Sequence, residues 1–101
     1  MVEQNQQQAL LKRAVAGDRT ATEQLLWTHY DRLQRFIDQN IPPVVRSTVS
    51  ADDVLQETFV VAWQQIADFE ERHTDALYTW LRTIAKNKLT DRVRAQAAAK
   101  R

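Results

Sequence analysis

Apolar residues recur along this chain at spacings of three and four, and nowhere do they alternate with polar ones over a strand's length. The first such stretch predicts a helix from about Gln6 to Ala16, with Ala9, Leu10, Ala14 and Val15 on its apolar side and Gly17 as the stop. Gly17-Asp18 reads as a turn. Thr20 followed by Glu23 has the form of a capping box, so a second helix is expected to start there, to carry Leu26, Tyr30, Leu33 and Ile37 on one face, and to end near Asn40. Pro42-Pro43 cannot continue a helix, which makes the stretch from Asn40 to Val49 a connection with a short helical turn at most. Ser50 is the expected N-cap of a third helix. Asp52 and Asp53 fall in its first turn, where the helix dipole favours acids, and Leu55, Phe59, Ala62, Trp63 and Ile66 form the expected buried stripe. A charged loop over 67–74 precedes a fourth helix, which starts around Asp75 and runs to Arg94 or beyond on a core stripe of Leu77, Leu81, Ala85, Leu89 and Val93, joined by Trp80 and Ile84. Trp27 and Trp63 are read as core, and His29 as a partly buried structural residue.

A single glycine and two prolines in 101 residues strengthen the helical reading, and the length fits one domain. The expected fold class is all-α, a compact bundle of about four helices. The absence of cysteine removes disulfides, thiolate metal sites and cysteine nucleophiles together. The N-terminal segment Met1-Val2-Glu3-Gln4-Asn5-Gln6-Gln7-Gln8 has neither the basic start nor the apolar stretch of a secretory signal, and no apolar run approaches a membrane span, so a cytoplasmic location without membrane contact is the expectation.

Net charge is only +1, but its distribution is uneven. From 51 to 81 seven acids face Arg72 alone, a net of −6, whereas from 82 to 101 seven bases face Asp91 alone, a net of +6. A basic segment suits a phosphate backbone and an acidic one a basic protein surface, unless both are solvated helix faces that attract each other. On the third helix Asp53, Gln56, Glu57, Val60 and Gln64 fall at i, i+3, i+4, i+7 and i+11, a polar strip with one exposed apolar contact in its middle. An enzymatic reading has little to build on. Asp52, Asp53 and Glu57, with His73, are the nearest approach to a metal-like constellation, and adjacent carboxylates at a helix start lack convergent geometry. Gly17, as the only glycine, leaves no phosphate-binding loop. No catalytic residue, metal or cofactor is expected.

Two strings carry a resemblance. Asp53-Val54-Leu55-Gln56-Glu57-Thr58-Phe59 matches the pattern D-V-x-Q-E-x-F, and the segment from Trp80 to Arg94 matches W-L-x-x-I-A-x-N-x-x-x-D-x-x-R at every fixed position. Together they resemble the extracytoplasmic-function (ECF) sigma factors of bacterial RNA polymerase, over about residues 8 to 95. The resemblance implies the N-terminal core-binding and minus-ten-reading domain, sigma region 2, over 1–95. It makes 96–101 the start of a linker, with the second, region 4 domain absent from this chain. It further implies that Asp53, Gln56, Glu57, Val60 and Gln64 dock on the clamp helices of the polymerase beta-prime subunit, the acids meeting arginines there. The non-template strand of the promoter minus-ten element would be read and melted by the loop and the last helix. Asn87 becomes a base-contacting or pocket residue, and Phe69, Arg72, His73 and Thr74 a clamp around a flipped base. Arg82, Lys86, Lys88, Arg92 and Arg94 become phosphate contacts, Arg94 pairing alternatively with Asp91. An anti-sigma factor is a further partner the family admits. Two positions depart from the pattern: Leu81 stands where primary sigma factors carry a second tryptophan, and Thr83 where a basic residue is frequent. The competing reading is a helical interaction module that regulates polymerase without touching DNA.

Overall fold

In the computed structural model, which describes residues 4–70 and 75–99, the chain folds as helices α1 (Gln4–Val15), α2 (Arg19–Thr28), α3 (Tyr30–Asn40), α4 (Ala51–Gln65) and α5 (Ala76–Ala99), with 3₁₀ turns at Pro43–Val45 and Ile66–Asp68. Among the described residues there is no strand, as the periodicity requires.

Gly17 ends α1 in the manner expected. Its φ of 105° is left-handed, its N–H donates to Ala14 O (3.0 Å), and the next N–H, of Asp18, donates to Arg13 O (2.9 Å), which is the Schellman closure. The start of α2 differs from the expected capping box. Asp18, not Thr20, is the N-cap, its Oδ1 accepting from the Ala21 N–H at 3.1 Å, and Thr20 lies inside the first turn. Asp18 also holds Arg13 across the turn (Nε to Oδ2 2.9 Å), so one carboxylate both caps α2 and ties it to the last turn of α1. The Ala21 N–H first, and Arg13 second, hold its carboxyl below the usual range.

The single long second helix expected from the stripe is two helices, α2 and α3, divided at His29. There the His29 N–H reaches back only three residues to Leu26 O (3.1 Å), a tightened turn that interrupts the α-helix while Leu26, Leu33 and Ile37 stay buried. Ile41 and Pro42 are extended, as X-Pro sterics demand, and the Pro43–Val45 turn drops Val45 into the core.

The core is aliphatic. Leu25, Leu33, Ile37, Val54, Leu55, Leu77 and Leu81 are all but inaccessible, joining α2, α3, α4 and α5 around one centre while α1 packs on α2. Three expectations about it fail. Trp27 is 62% exposed and Trp63 36% exposed, outside the core rather than in it. On α4 the buried stripe is turned toward Val54, Leu55, Thr58 and Ala62, with Phe59 only partly covered. Thr58 tolerates burial because its hydroxyl donates to Val54 O (2.7 Å). On α1, Leu11 and Ala14 are buried, and Ala9 is exposed. Trp80 is partly buried, packed against Phe69 with ring centroids 5.1 Å apart.

His29 is buried, its ring centroid 6.1 Å from that of Tyr78, and its Nε2 has no hydrogen-bond partner among the described residues. Burial holds its imidazole below the ordinary 6.5, Arg32 adding to the effect and Asp75 opposing it. Arg32 covers the Tyr78 ring at 3.5 Å and pairs with Asp75 at 3.3 Å, tying α3 to the start of α5. Among the described residues no helix is long and apolar enough to cross a membrane.

Candidate nucleic-acid and protein interface

The acidic strip is real and contiguous. Asp53, Gln56, Glu57, Val60 and Gln64 lie along one face of α4 and line a single open groove of about 430 Å³, with Val60 57% exposed at its middle. The periodicity of α4 explains this, since residues three and four apart stack on one side of a helix. Ser50 stands at the N-cap position without a side-chain cap bond, and Asp52 and Asp53 occupy the first turn as expected.

The strip is not free of basic groups. Lys88 and Arg92, four apart on α5, form the opposite wall of the same groove. Arg92 Nε donates to Glu57 Oε1 at 3.0 Å, Arg92 Nη2 donates to the same oxygen, and Arg92 Nη1 lies 3.7 Å from Asp53 Oδ2. Glu57 pushes the Arg92 guanidinium above its already high ordinary value. Arg92, expected at a phosphate, therefore sits in an ion pair that clips α5 to α4. Nothing local in the sequence signals it, because the partners are 35 residues apart.

The remaining basic residues of α5 divide by helical phase. Arg82, Lys86 and Arg94 line a second groove of about 570 Å³, floored by Phe36, Pro42, Leu89 and Val93, with no carboxylate among its lining residues. The Arg82 guanidinium lies 5.9 Å from the Phe36 ring and 5.8 Å from that of Tyr78. Asn87 is exposed and lines neither groove, but Thr90 and Arg94, three and seven residues further along α5 and so on the same side of the helix, line the second groove, which places Asn87 at its edge. Thr83 and Thr90, bonded through their hydroxyls to Thr79 O and Lys86 O, are exposed beside it. Arg94 forms no ion pair with Asp91 among the described residues. The residues expected at DNA on α5 thus divide into two sets, Arg82, Lys86 and Arg94 with Asn87 at their edge, and Lys88 and Arg92 facing α4. Of the expected base clamp, Phe69 is half-buried against Trp80, and Arg72, His73 and Thr74 lie outside the described residues.

The carboxylates weighed as a catalytic cluster are engaged elsewhere. Asp52 Oδ1 accepts from Gln34 Nε2 at 3.2 Å, while Asp53 and Glu57 share Arg92. A third groove, about 380 Å³ and lined by Trp27, Tyr30, Phe59 and Trp63, went unread because its tryptophans were placed in the core. The polar neighbours of Trp27, Glu23, Gln24 and Thr28 among them, are the signal that could have found it.

Comparison with known proteins bears on these faces. The chain is 34% identical over 100 residues to the ECF RNA polymerase sigma-E factor of Haemophilus influenzae, covering 95% of this chain and 47% of that protein. It is 33% identical over 92 residues to the RNA polymerase sigma factor NccH of Alcaligenes xylosoxydans, covering 90% and 46%. It is 29% identical over 90 residues to the ECF RNA polymerase sigma factor SigK of Mycobacterium tuberculosis, covering 89% and 46%. The chain spans about half the length of the curated relatives it matches. No solved structure is significantly similar to it. The profile of the Sigma-70 region 2 family matches residues 26–99, a span that takes in α3, α4, α5 and, Glu23 apart, the lining of all three grooves, and the chain belongs to that family.

Proposed function

We propose that this chain is the region 2 module of an ECF-type sigma factor, acting in the cytoplasm, which docks on the clamp helices of the RNA polymerase beta-prime subunit through α4 and recognises and helps melt the promoter minus-ten element through α5 and the loop before it. The observation that carries the docking half is the unbroken strip of Asp53, Gln56, Glu57, Val60 and Gln64 along one groove. An incoming arginine finds there two carboxylates, a side-chain amide for orientation and one apolar contact, the set that gives a guanidinium both direction and affinity. The DNA half rests on Asn87, exposed where it can meet a base edge, and on Lys86 and Arg94, whose charges are not neutralised by a neighbouring carboxylate. Phe69, Arg72, His73 and Thr74 belong to the same reading as the base clamp, with Arg82 and Lys88 at its margins.

The test is binding of the chain to core RNA polymerase, comparing wild type with Gln56→Ala and Glu57→Lys. Gln56→Ala is the cleaner variant, since Gln56 is exposed and makes no hydrogen bond among the described residues. Weaker binding by both variants at unchanged helicity is the expected result. Equal binding by all three proteins would remove α4 as the docking element.

A second reading, the protein-only interaction module, is favoured by one observation: Arg92 is committed to Glu57 and so withdrawn from any phosphate. Lys86→Ala separates the two. It should weaken binding of a single-stranded minus-ten oligonucleotide and flatten its salt dependence if DNA is a partner, whereas an unchanged complex would favour the protein-only module.

A further inference from the structure

The third groove is the feature that the docking reading leaves unexplained. Its wall is a run of aromatic rings across three helices: Trp27 of α2 stacks on Tyr30 of α3 (centroids 5.1 Å, planes 28° apart), Tyr30 tilts against Phe59 of α4 (6.3 Å), and Trp63 closes the far end. Trp27 presents 62% of its surface to solvent, although the opposite face of the same helix buries Ala21 and Leu25. A large aromatic surface already fixed by stacking loses little freedom when a partner covers it, and such positions dominate interface energetics. The rim is acidic on both sides, Glu23 from α2 and Asp52 from α4, and no Lys or Arg lines the groove. Its natural occupant is therefore an aliphatic side chain flanked by a cation.

Gln56 lines this groove and the acidic groove alike, so the two form one continuous band around α4. A single helical partner laid along α4 meets carboxylates on one side of Gln56 and aromatic rings on the other. We infer that the Trp27–Trp63 groove is the apolar half of the polymerase-docking surface, seating an aliphatic side chain and an adjacent Lys or Arg of the same polymerase element whose arginines engage the acidic strip. This rests on the docking reading and adds to it a second anchor, built from α2 as well as α4, in which Trp27 sets how tightly the chain is held.

The test titrates the whole chain, labelled at its N-terminal amine, with core RNA polymerase and follows fluorescence anisotropy, each variant first matched to wild type in helicity and melting. Trp27→Ala should weaken binding by about tenfold or more, as for a buried tryptophan anchor. Trp27→Phe should restore most of the loss, and Asp52→Lys should weaken binding in the same direction. Val44→Ala, at an exposed apolar residue away from both grooves, should leave binding unchanged. Unchanged binding by Trp27→Ala and Asp52→Lys, with loss in Glu57→Lys, would overturn the groove while leaving the docking reading intact. If wild type itself fails to bind core polymerase, both fall together. Self-association of wild type that Trp27→Ala abolishes, seen by sedimentation, would make a second copy of the chain the occupant and overturn the assignment.

Discussion

The ion pair between Arg92 and Glu57 is the contact whose energetic weight the geometry defines best. The perturbation is a double-mutant cycle of Glu57→Ala, Arg92→Ala and the pair together, read by urea denaturation. An exposed pair contributes about 0.2–1 kcal/mol, and hydrogen bonds with charged partners lie toward the top of that range. Two guanidinium N–H groups converge here on one Glu57 oxygen, and Asp53 adds a weaker attraction at 3.7 Å. Screening limits the gain, because the Arg92 and Glu57 side chains are 35% and 39% exposed. The expected coupling energy is therefore about 1 kcal/mol at low salt, enough to move the melting temperature of a domain this size by about 4–8 °C. It should shrink as the Debye length falls toward about 3 Å in 1 M salt. The same quantity has a functional readout. If an arriving arginine must displace Arg92, then Arg92→Ala should dock on core polymerase up to about fivefold more tightly, the equivalent of 1 kcal/mol. A coupling energy of zero would refute the clip. Weaker docking by Arg92→Ala would refute the displacement.

Three further outcomes follow from other parts of the fold. His29 titrates below its ordinary value in the folded state, so the unfolded chain binds the proton more readily; stability is complete above pH 6.5 and falls as pH drops from 6.5 toward the lowered folded value. His29→Leu, which cannot be protonated, should flatten that part of a pH-melting curve, and an unchanged curve would place the titration elsewhere. Gly17→Ala meets no neighbouring atom within 4 Å but must hold a φ of 105°, so it should cost about 1 kcal/mol from backbone strain alone, checked by urea midpoint. Leu33→Ala, at a fully buried position between α4 and α5, should cost about 2–5 kcal/mol, and a cost below 1 kcal/mol would mean that the bundle collapses around the gap.

Local rules settled much of this protein from its sequence. Helix spacing placed α1, α4 and α5, Gly17 stopped α1, Pro42-Pro43 broke the chain after α3, and Asp53 to Gln64 fell on one exposed face because a helix repeats every 3.6 residues. The motifs around Gln56 and Asn87 carried the family, since a string of fixed spacing survives independently of packing. Tertiary structure decided what those rules leave open. The side of α4 that is buried is set by which neighbours arrive, so Val54 and Thr58 went inside and Trp63 outside. Thr20 and Asp18 both suit an N-cap, and only the path of the turn, with Arg13 across it, selected Asp18. The break at His29 needs no glycine or proline and so left no mark in the composition. Above all, Arg82, Lys86, Lys88, Arg92 and Arg94 were all expected at phosphates, because a sequence lists charges without their partners. Packing against α3 and α4 gave Arg82 and Arg92 different neighbourhoods, and it alone decided that Arg92 closes on Glu57.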